Sequence, residues 1–297
     1  MTGLVHHATG RGEAPVAKAF GIVAMALLVA GACASAPTPG PIVADPTASR
    51  SGDCEPAAGA ATLPAKTAVH GTVRVLAAAS LTGAFAELAD AFEATYPGAR
   101  VATSFGASSD LVARIHQGAP ADVLATADTE TMDLAADPPD GSRGDVATPV
   151  TLTCNTMMII TARGNPLHIT SLADLARPDV RFALCAEPVP CGRLGRQVLH
   201  DAGVDARPVG SEANVKAVVA KVIAGEVDAG IVYVTDARVA RPRASSVAIP
   251  AQNNVVTTYP IAVARDADNA TAARAFVTFA TGPTGRSILR SYGFGPH

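Results

Sequence analysis

The chain has 297 residues, of which 48% are hydrophobic, and its 26 acidic and 23 basic side chains leave a formal net charge of -3. This length allows two modest lobes or one large domain. The near balance of charge, with no basic run interleaved with aromatic residues, argues against a nucleic acid partner.

The first 32 residues have the pattern of a signal peptide. An apolar run over residues 19–29 follows a polar stretch and is closed by small residues. The run is too short for a membrane-spanning helix of ordinary length. Because Cys33 comes directly after the small residues, as in a bacterial lipobox, we expect it to carry lipid. A plain secretory signal and an uncleaved anchor are the alternatives, and all three place the protein outside the cytoplasm.

Residues 33–70 consist largely of Ala, Pro, Thr, Ser and Gly. A segment with so few large apolar side chains cannot bury a core, so we expect a disordered tether. Such a tether would hold a folded part, starting at residue 71, beside the membrane through the lipid anchor alone.

The folded part begins with strands and helices in alternation. Strands are predicted at residues 72–76, 100–104 and 122–126, and the helices between them carry apolar side chains on one face. This βαβαβ order predicts a mostly parallel sheet with helices on both faces.

A serine lies in each of the first two turns from strand to helix. Ser80 belongs to AAASLT (77–82) and Ser108 to SFGASSD (104–110). A serine at a helix N-cap offers a hydroxyl beside free backbone N–H groups, where the helix dipole favours negative charge. Two such helix ends facing each other would bind a small oxyanion without a basic side chain. The alternative is that each serine only caps its helix.

A second set of elements occupies residues 150–257. In order, they are an extended stretch at 150–161, a short helix with a capping box at Ser171, a strand at 181–184, a helix at 192–202, a helix capped by Ser211 and a strand at 229–234.

The last segment returns to a strand at 259–264, followed by two helices. We expect this segment to pack on the first lobe. Residues 71–149 and 258–297 would then form lobe 1, and residues 150–257 would form lobe 2. The two chain crossings between the lobes would act as a hinge.

The cysteines indicate disulfides. If Cys33 carries lipid, four cysteines remain and permit three complete pairings, which export allows. Cys185 and Cys191 flank a short proline-containing loop, so we favour this pair. Cys154 could instead pair with Cys185 if their strands are neighbours, and Cys54, in the tether, is a candidate free thiol. The spacing is not that of a zinc site.

Five further motifs follow the serine turns: GAPAD (118–122), VPCG (189–192), GIVY (230–233), YPI (259–261) and RSYGF (290–294). Together, over residues 71–295, the seven motifs resemble the molybdate-binding proteins that serve molybdate ABC transporters. The resemblance implies a two-lobed, periplasmic-binding-protein-like α/β fold. Each lobe would be a mostly parallel sheet flanked by helices, and the lobes would close on one tetrahedral dianion.

The resemblance also implies which groups contact the ligand. Its oxygens would receive hydrogen bonds from the hydroxyls of Ser80, Ser108 and Tyr233 and from the backbone amides of Cys191 and Val215. The metal would be held only as an oxyanion, with no direct metal ligand and no cofactor. Cys191 stands where the family's pattern has alanine, and because its contact is a backbone N–H the change is compatible with binding. From the residues alone, Tyr233 is equally well explained as a core aromatic.

The chemistry of the ligand agrees with such a set of donors. Molybdate at neutral pH carries no proton and presents only acceptors, whereas a protonated phosphate needs an acceptor for its O–H. Asp110, two residues after Ser108, is expected in the first turn of its helix, where a carboxylate interacts favourably with the dipole.

The resemblance implies a monomeric carrier, not an enzyme. It would bind molybdate or tungstate and deliver it to the permease subunit of an ABC transporter. A sulfate or other oxyanion carrier is the alternative within the class. A hydrolase using Ser108 or Cys191 is the alternative from another class, although GASSD (106–110) lacks the second glycine of a G-x-S-x-G turn. His200 would be its candidate base.

Overall fold

The computed structural model describes Cys54 and residues 63–295. The predicted signal peptide, Cys33 and most of the predicted tether lie outside the described residues. Within the described part of the chain, none of the helices has the length and apolar character needed to cross a bilayer.

Nine strands and eight α-helices make up the described part of the fold. The strands are Gly71–Ala78 (β1), Ala99–Gly106 (β2), Val123–Ala125 (β3), Val150–Ala162 (β4), Phe182–Cys185 (β5), Gly210–Glu212 (β6), Ala229–Tyr233 (β7), Ala244–Ala248 (β8) and Val256–Val263 (β9) among the described residues. The α-helices of this same part are Thr82–Thr95 (α1), Ser108–His116 (α2), Thr129–Ala136 (α3), Pro190–Asp201 (α4), Val215–Ala224 (α5), Val234–Ala240 (α6), Ala270–Thr281 (α7) and Pro283–Ser291 (α8).

The strands form a mixed sheet in the order β2-β1-β3-β9-β4-β7-β5-β6, with β8 also paired to β4. Parallel pairing is found where it was expected, between β1 and its neighbours β2 and β3 and between β5 and its neighbours β6 and β7. Strands β4 and β9 run antiparallel to every strand they pair with, so the sheet as a whole is mixed.

Strand β4 connects the two halves of the sheet. Its first part, up to Thr156, pairs with β9, and its second part, from Met157, pairs with β7. One long strand therefore contributes to both sets of parallel strands. The lobe boundaries at residues 150 and 258 stay a prediction.

The C-terminal helices pack against α1. The ring of Phe276 on α7 lies 5.3 Å from that of Phe92 and 6.1 Å from that of Phe85, measured between centroids. Directly after α8, the ring of Tyr292 lies so close to Gly83 of α1 that a Cβ there would be 2.6 Å from it, and a larger residue would require the ring to move. Aromatic rings therefore hold the last helices onto the first one.

The folded part begins before residue 71. A 3₁₀ turn covers Lys66–Ala68, and Val69 is buried in the core. The hydroxyl of Tyr96 donates to the carbonyl oxygen of Pro64 at 3.4 Å. The prediction of a disordered tether is therefore wrong for residues 63–70, where the buried Val69 and the hydrogen bond to Pro64 attach the segment to the rest of the fold.

Of the two helix caps predicted in this part of the chain, one is confirmed and one is wrong. The capping box at Ser171 is confirmed, with Asp174 as its partner, although the helix it starts is a 3₁₀ turn. Ser211 does not cap α5, because it lies within β6. The cap is Asn214, whose Oδ1 accepts from the N–H of Ala217 at 3.1 Å. Serine and asparagine are comparable caps, and only the end of β6 decides between them.

The structure contains two disulfides among the described cysteines. Cys185 is joined to Cys191, with the two sulfur atoms 2.03 Å apart. Cys54 is joined to Cys154, which is fully buried on β4. Two expectations are therefore wrong, since Cys54 is not free and Cys154 does not pair with Cys185. The Cys54–Cys154 bond spans 100 residues, a separation at which the sequence carries no pairing signal.

Candidate anion-binding site

A small cavity lies where the ends of β1, β2 and β7 meet the N-termini of α4 and α5. Its lining includes every sequence-predicted ligand residue: Ser80, Ser108, Cys191, Val215 and Tyr233. Among the described residues, no charged side chain lines it. The cavity therefore offers hydroxyls and backbone amides, and no carboxylate.

Ser80 is held by a hydrogen bond to a buried phenol. It sits in the 3₁₀ turn Ala79–Leu81 between β1 and α1, and its Oγ lies 2.9 Å from the hydroxyl of Tyr259. The side chain makes no capping hydrogen bond to this turn or to α1. The expectation that Ser80 is an N-cap is wrong, because the chain enters α1 through the 3₁₀ turn.

Ser108 is the first residue of α2, which is capped by Ala107 without a side-chain hydrogen bond. The Oγ of Ser108 instead accepts from the backbone N–H of Ala127 at 3.0 Å. Neither serine therefore caps its own helix, and the capping alternative does not account for them. Asp110 is exposed in the first turn of α2, as predicted, and does not line the cavity.

Cys191 and Val215 bring backbone amides to the cavity. Cys191 follows Pro190 in the first turn of α4, and Val215 is the first residue of α5 after its cap Asn214. N–H groups in a helix's first turn have no partner within the helix, and they lie at the positive end of its dipole. Both amides are therefore available to an anion.

The loop before α4 is tightly constrained. The disulfide between Cys185 and Cys191 closes it, joining the last residue of β5 to the first turn of α4. A Cβ on Gly192 would lie 1.9 Å from the carbonyl oxygen of Ala186. The close approach and the disulfide together determine where the Cys191 amide lies.

Tyr233 ends β7 and is 1% exposed. Its hydroxyl is buried without a hydrogen-bond partner among the described residues. Burial raises the pKa of Tyr233 well above its usual value, so the hydroxyl keeps its proton at neutral pH. An unpaired buried hydroxyl costs about 1–3 kcal/mol. Tyr233 does belong to the core, but the expectation that its hydroxyl would then lie in water is wrong. A ligand oxygen in the cavity would provide the missing acceptor.

An ion-pair network lies next to the cavity. Arg193, two residues after Cys191, contacts the carboxylate of Asp128, and its Nε lies 3.1 Å from Oε2 of Glu130. Its Nη1 also donates to the carbonyl oxygen of Pro188 at 2.8 Å. The start of α4 is therefore attached to the start of α3.

A buried carboxylate lies behind the site on α6. Asp236 is 1% exposed and its Oδ1 lies 2.8 Å from Nζ of Lys216, which follows Val215 on α5. Burial raises the pKa of Asp236, and the nearby Lys216 opposes this shift. The ion pair joins α5 to α6 without placing a carboxylate in the lining.

The residues that a hydrolase or a metal centre would need are not brought together. Cys191 is in a disulfide, and the side chain of His200 is 89% exposed at the far end of α4. Within the part of the chain that the structure describes, no three His, Cys, Asp or Glu side chains are grouped to hold a metal ion.

Sequence reasoning missed several residues around the site. Tyr259 belongs to the motif YPI (259–261) but had no role, and Asn155, Asp128 and Arg193 carried no signal. Their importance depends on contacts over long separations, such as the 179 residues between Ser80 and Tyr259.

The mixed sheet and the cavity of neutral donors define a binding protein for a small solute. Residues 73–295 match the family of bacterial extracellular solute-binding proteins, and the chain belongs to this family. It is 41% identical over 224 residues to the molybdate-binding protein ModA of Mycobacterium tuberculosis, covering 75% of this chain and 84% of that protein. It is 31% identical over 237 residues to ModA of Escherichia coli, covering 76% and 89%.

Solved structures show the same fold. The periplasmic molybdate-binding protein of Azotobacter vinelandii aligns with a TM-score of 0.65 at 21% identity, over 76% of this chain and 99% of that one. The sulfate-binding protein SubI of Mycobacterium tuberculosis aligns with a TM-score of 0.62 at 20% identity, over 76% and 87%. The two-lobed solute-binding α/β class predicted from the sequence is confirmed.

Proposed function

We propose that this protein binds molybdate, and also tungstate, outside the cytoplasm and delivers it to the permease subunit of an ABC transporter. The observation that carries the proposal is the cavity's lining, in which the five residues expected from the family resemblance lie together with no carboxylate. The two ModA relatives, at 41% and 31% identity, support the choice of ligand.

The donors are proposed to act as one set. Hydroxyls of Ser80, Ser108 and Tyr233 and amides of Cys191 and Val215 would each donate to an oxygen of the dianion. The metal atom would have no protein ligand, and no cofactor is required. Hydrogen bonds to a charged group contribute about 1.5–3 kcal/mol each, from which ordering and dehydration costs are subtracted.

The remainder of the proposal concerns how the protein is held and how it closes. Residues 1–32 would be a signal peptide, with lipid on Cys33 as the membrane anchor of a monomer. Residues 71–149 with 258–297, and residues 150–257, would be the two lobes. Ser80 and Ser108 would then belong to one lobe and the other three donors to its partner lobe, so closure would complete the site.

Calorimetry and thermal unfolding with molybdate, tungstate, sulfate and phosphate test the proposal. A ligand of the native state adds about 2.7 kcal/mol to the free energy of unfolding at 100 times its dissociation constant. We expect molybdate and tungstate to stabilise the protein strongly. Absence of any shift with millimolar molybdate would refute the proposal.

Serine variants test the site itself. Ser80→Ala and Ser108→Ala should each weaken molybdate binding, since each removes one donor. The matched control is Ser291→Ala on α8, where the hydroxyl donates to the carbonyl oxygen of Ile288 away from the cavity. Wild-type affinity in both cavity variants would show that the ligand binds elsewhere.

Sulfate is the second candidate, because it too is fully deprotonated at neutral pH and the same donors suit it. The fold shared with SubI is compatible with either ligand. Tighter binding of sulfate than molybdate in the same titrations would decide for a sulfate carrier.

A further inference from the structure

We propose that Tyr259 and Asn155 set the direction of the hydrogen bond at Ser80 and so make the site selective for an oxyanion without a proton. The inference rests on the proposed function, since it concerns the same cavity. Neither residue lines the cavity; both would be positioning residues acting through Ser80.

Buried side chains form a series of hydrogen-bond contacts behind Ser80. Tyr259 on β9 and Asn155 on β4 are both fully buried. The hydroxyl of Tyr259 lies 2.9 Å from Oγ of Ser80, and Nδ2 of Asn155 lies 3.5 Å from the same hydroxyl. Nδ2 of Asn155 also donates to Oγ1 of Thr235 at 2.9 Å.

The orientation of the Asn155 amide follows from its other contact. Its Oδ1 accepts from the backbone N–H of Thr156 at 3.0 Å. A backbone N–H can only donate, so the oxygen must face Thr156 and the amino group must face Tyr259. The group behind the phenol is therefore a donor with no acceptor capacity.

The Asn155 amino group determines which hydroxyl donates in the hydrogen bond between Tyr259 and Ser80. If Tyr259 accepted from Ser80, its own proton would have to face either the Asn155 amino group, donor against donor, or the neighbouring Tyr233 hydroxyl, with which it makes no hydrogen bond. With Tyr259 donating to Ser80, the amino group faces the phenol's lone pairs even at the long distance of 3.5 Å. Ser80 then accepts from Tyr259, and its single hydrogen is left for the cavity. Linked hydrogen bonds of this kind polarise one another.

Ser108 has an equivalent arrangement. The backbone N–H of Ala127 donates to its Oγ at 3.0 Å, so its hydrogen is also left for the cavity. The buried hydroxyl of Tyr233 has no acceptor among the described residues and can donate as well. All three hydroxyls are thus set to donate. A hydrogen phosphate, which must place its O–H against an acceptor, would meet donors.

Tyr259→Phe tests the inference. It removes the donor to Ser80 while keeping the ring that packs on Tyr233 and Phe294, with centroids 5.8 and 5.4 Å away. We expect the dissociation constant for molybdate to rise about tenfold, as for the loss of one hydrogen bond. Phosphate binding should weaken less or improve, because Ser80 becomes free to accept. The ratio of phosphate to molybdate affinity should therefore rise.

A double-mutant cycle with Ser80→Ala separates positioning from general structure. If Tyr259 acts through Ser80, then Tyr259→Phe should add little to the loss already caused by Ser80→Ala. The matched control is Tyr96→Phe, which also removes a hydroxyl from a buried ring but away from the cavity. It should leave both affinities unchanged.

The outcomes are distinguishable from those of the proposed function. If the wild-type protein does not bind molybdate, the proposed function fails. If it binds molybdate, but Tyr259→Phe leaves the affinity ratio unchanged or its loss adds fully to that of Ser80→Ala, only this inference is overturned. Should Tyr259→Phe not fold, Asn155→Leu removes the donor behind the phenol, and the same rise in the ratio is expected.

Discussion

The guanidinium of Arg193 on α4 pairs with the carboxylate of Asp128, the residue that caps α3. Oδ1 of Asp128 accepts from the N–H of Thr131 at 2.9 Å, so the carboxylate is already held in place by its own helix. The proposed lobe division assigns Arg193 and Asp128 to different lobes. The ion pair therefore joins the two sides of the cavity beside the donors.

Replacing Arg193 should weaken molybdate binding without abolishing it. Arg193→Met keeps much of the side chain's apolar length but loses the contacts with Asp128 and Glu130. Both partners of the main pair are largely buried, and hydrogen bonds of charged groups contribute about 1.5–3 kcal/mol. We expect the dissociation constant for molybdate to rise about tenfold or more, mainly through faster dissociation. Stopped-flow kinetics and calorimetry measure both.

The matched control for Arg193 is Arg177→Met. Arg177 also makes a close ion pair, with Asp179, but that pair is more exposed and does not contact the cavity. Unchanged dissociation in Arg193→Met, or an equal change in both variants, would show that the pair with Asp128 does not hold the site closed.

The two disulfides should have separate effects. The Cys54–Cys154 bond closes 100 residues and the Cys185–Cys191 bond closes six. Loop-closure entropy alone gives about 5 kcal/mol for the first and about 2 kcal/mol for the second. We expect Cys54→Ala with Cys154→Ala to lower the free energy of unfolding and leave molybdate affinity unchanged. Cys185→Ala with Cys191→Ala should lower the free energy of unfolding less than the first pair of substitutions does. It should, however, weaken molybdate binding, because the amide of Cys191 is no longer held in place.

Each double variant is the control for the other. Urea unfolding and calorimetry are run on both pairs, with intact mass to verify the bonds present. Equal molybdate affinity in the wild-type protein and in both double variants would contradict the role given to the loop before α4.

The cap of α5 should matter for the site as well as for the helix. Asn214→Ala removes the acceptor for the N–H of Ala217, which costs about 1 kcal/mol of stability. Because Asn214 directly precedes Val215, the loss should also disturb the amide there and weaken molybdate binding. Chemical unfolding and calorimetry on the same preparation measure the two effects.

Asn269→Ala is the corresponding control on α7. Asn269 also caps its helix, accepting from the N–H of Ala272 at 3.2 Å, and it does not line the cavity. This variant should lose stability and keep its affinity. Loss of affinity in both variants would mean that binding follows global stability only.

Asp236 should give the protein a stability that falls with rising pH. Burial raises its pKa in the folded protein above the usual 3.8, so the folded state keeps the proton to higher pH than the unfolded chain. The favourable contribution is complete below 3.8 and is lost as pH rises through the folded-state pKa. We expect the stability advantage of Asp236→Asn over wild type to grow as pH rises above 3.8 and to level off once the pH exceeds the folded-state pKa.

Asp174 is the control of opposite sign. Hydrogen bonds, first from the backbone of Thr170, hold the pKa of Asp174 below its usual value. Its contribution is present above that value and lost as pH falls through the folded-state pKa. Asp174→Asn should therefore be less stable than wild type at neutral pH, with the difference shrinking in acid. Parallel pH curves for the two variants would contradict both assignments.

Much of the fold could be predicted because its signals are local. Alternating apolar residues and turn residues located β1, β2, β3 and most helices to within a few positions. Short elements such as α3, α6 and β8 were missed, since they contain too few residues for a clear period. The prediction of Ser211 as the cap of α5 failed for a different reason, because Asn214, a comparable cap, lies three residues further along.

The five site residues came from the resemblance to a known family, and the structure brings all five to one cavity. The physical argument first made for two of them was nevertheless incorrect. Ser80 and Ser108 are not helix caps but hydroxyls held by Tyr259 and by the amide of Ala127. Their positions could be predicted, whereas their partners could not.

By itself the sequence determined the order of most strands and helices and the donor-rich character of the two serine turns, while the ligand candidates came from its resemblance to a known family. Those properties depend on residues close together in the chain. Only the tertiary structure decided the antiparallel setting of β4 and β9, the bond from Cys54 to Cys154 and the contact of Ser80 with Tyr259. Such pairs depend on strand register across 100 residues or more, which local periodicity does not encode.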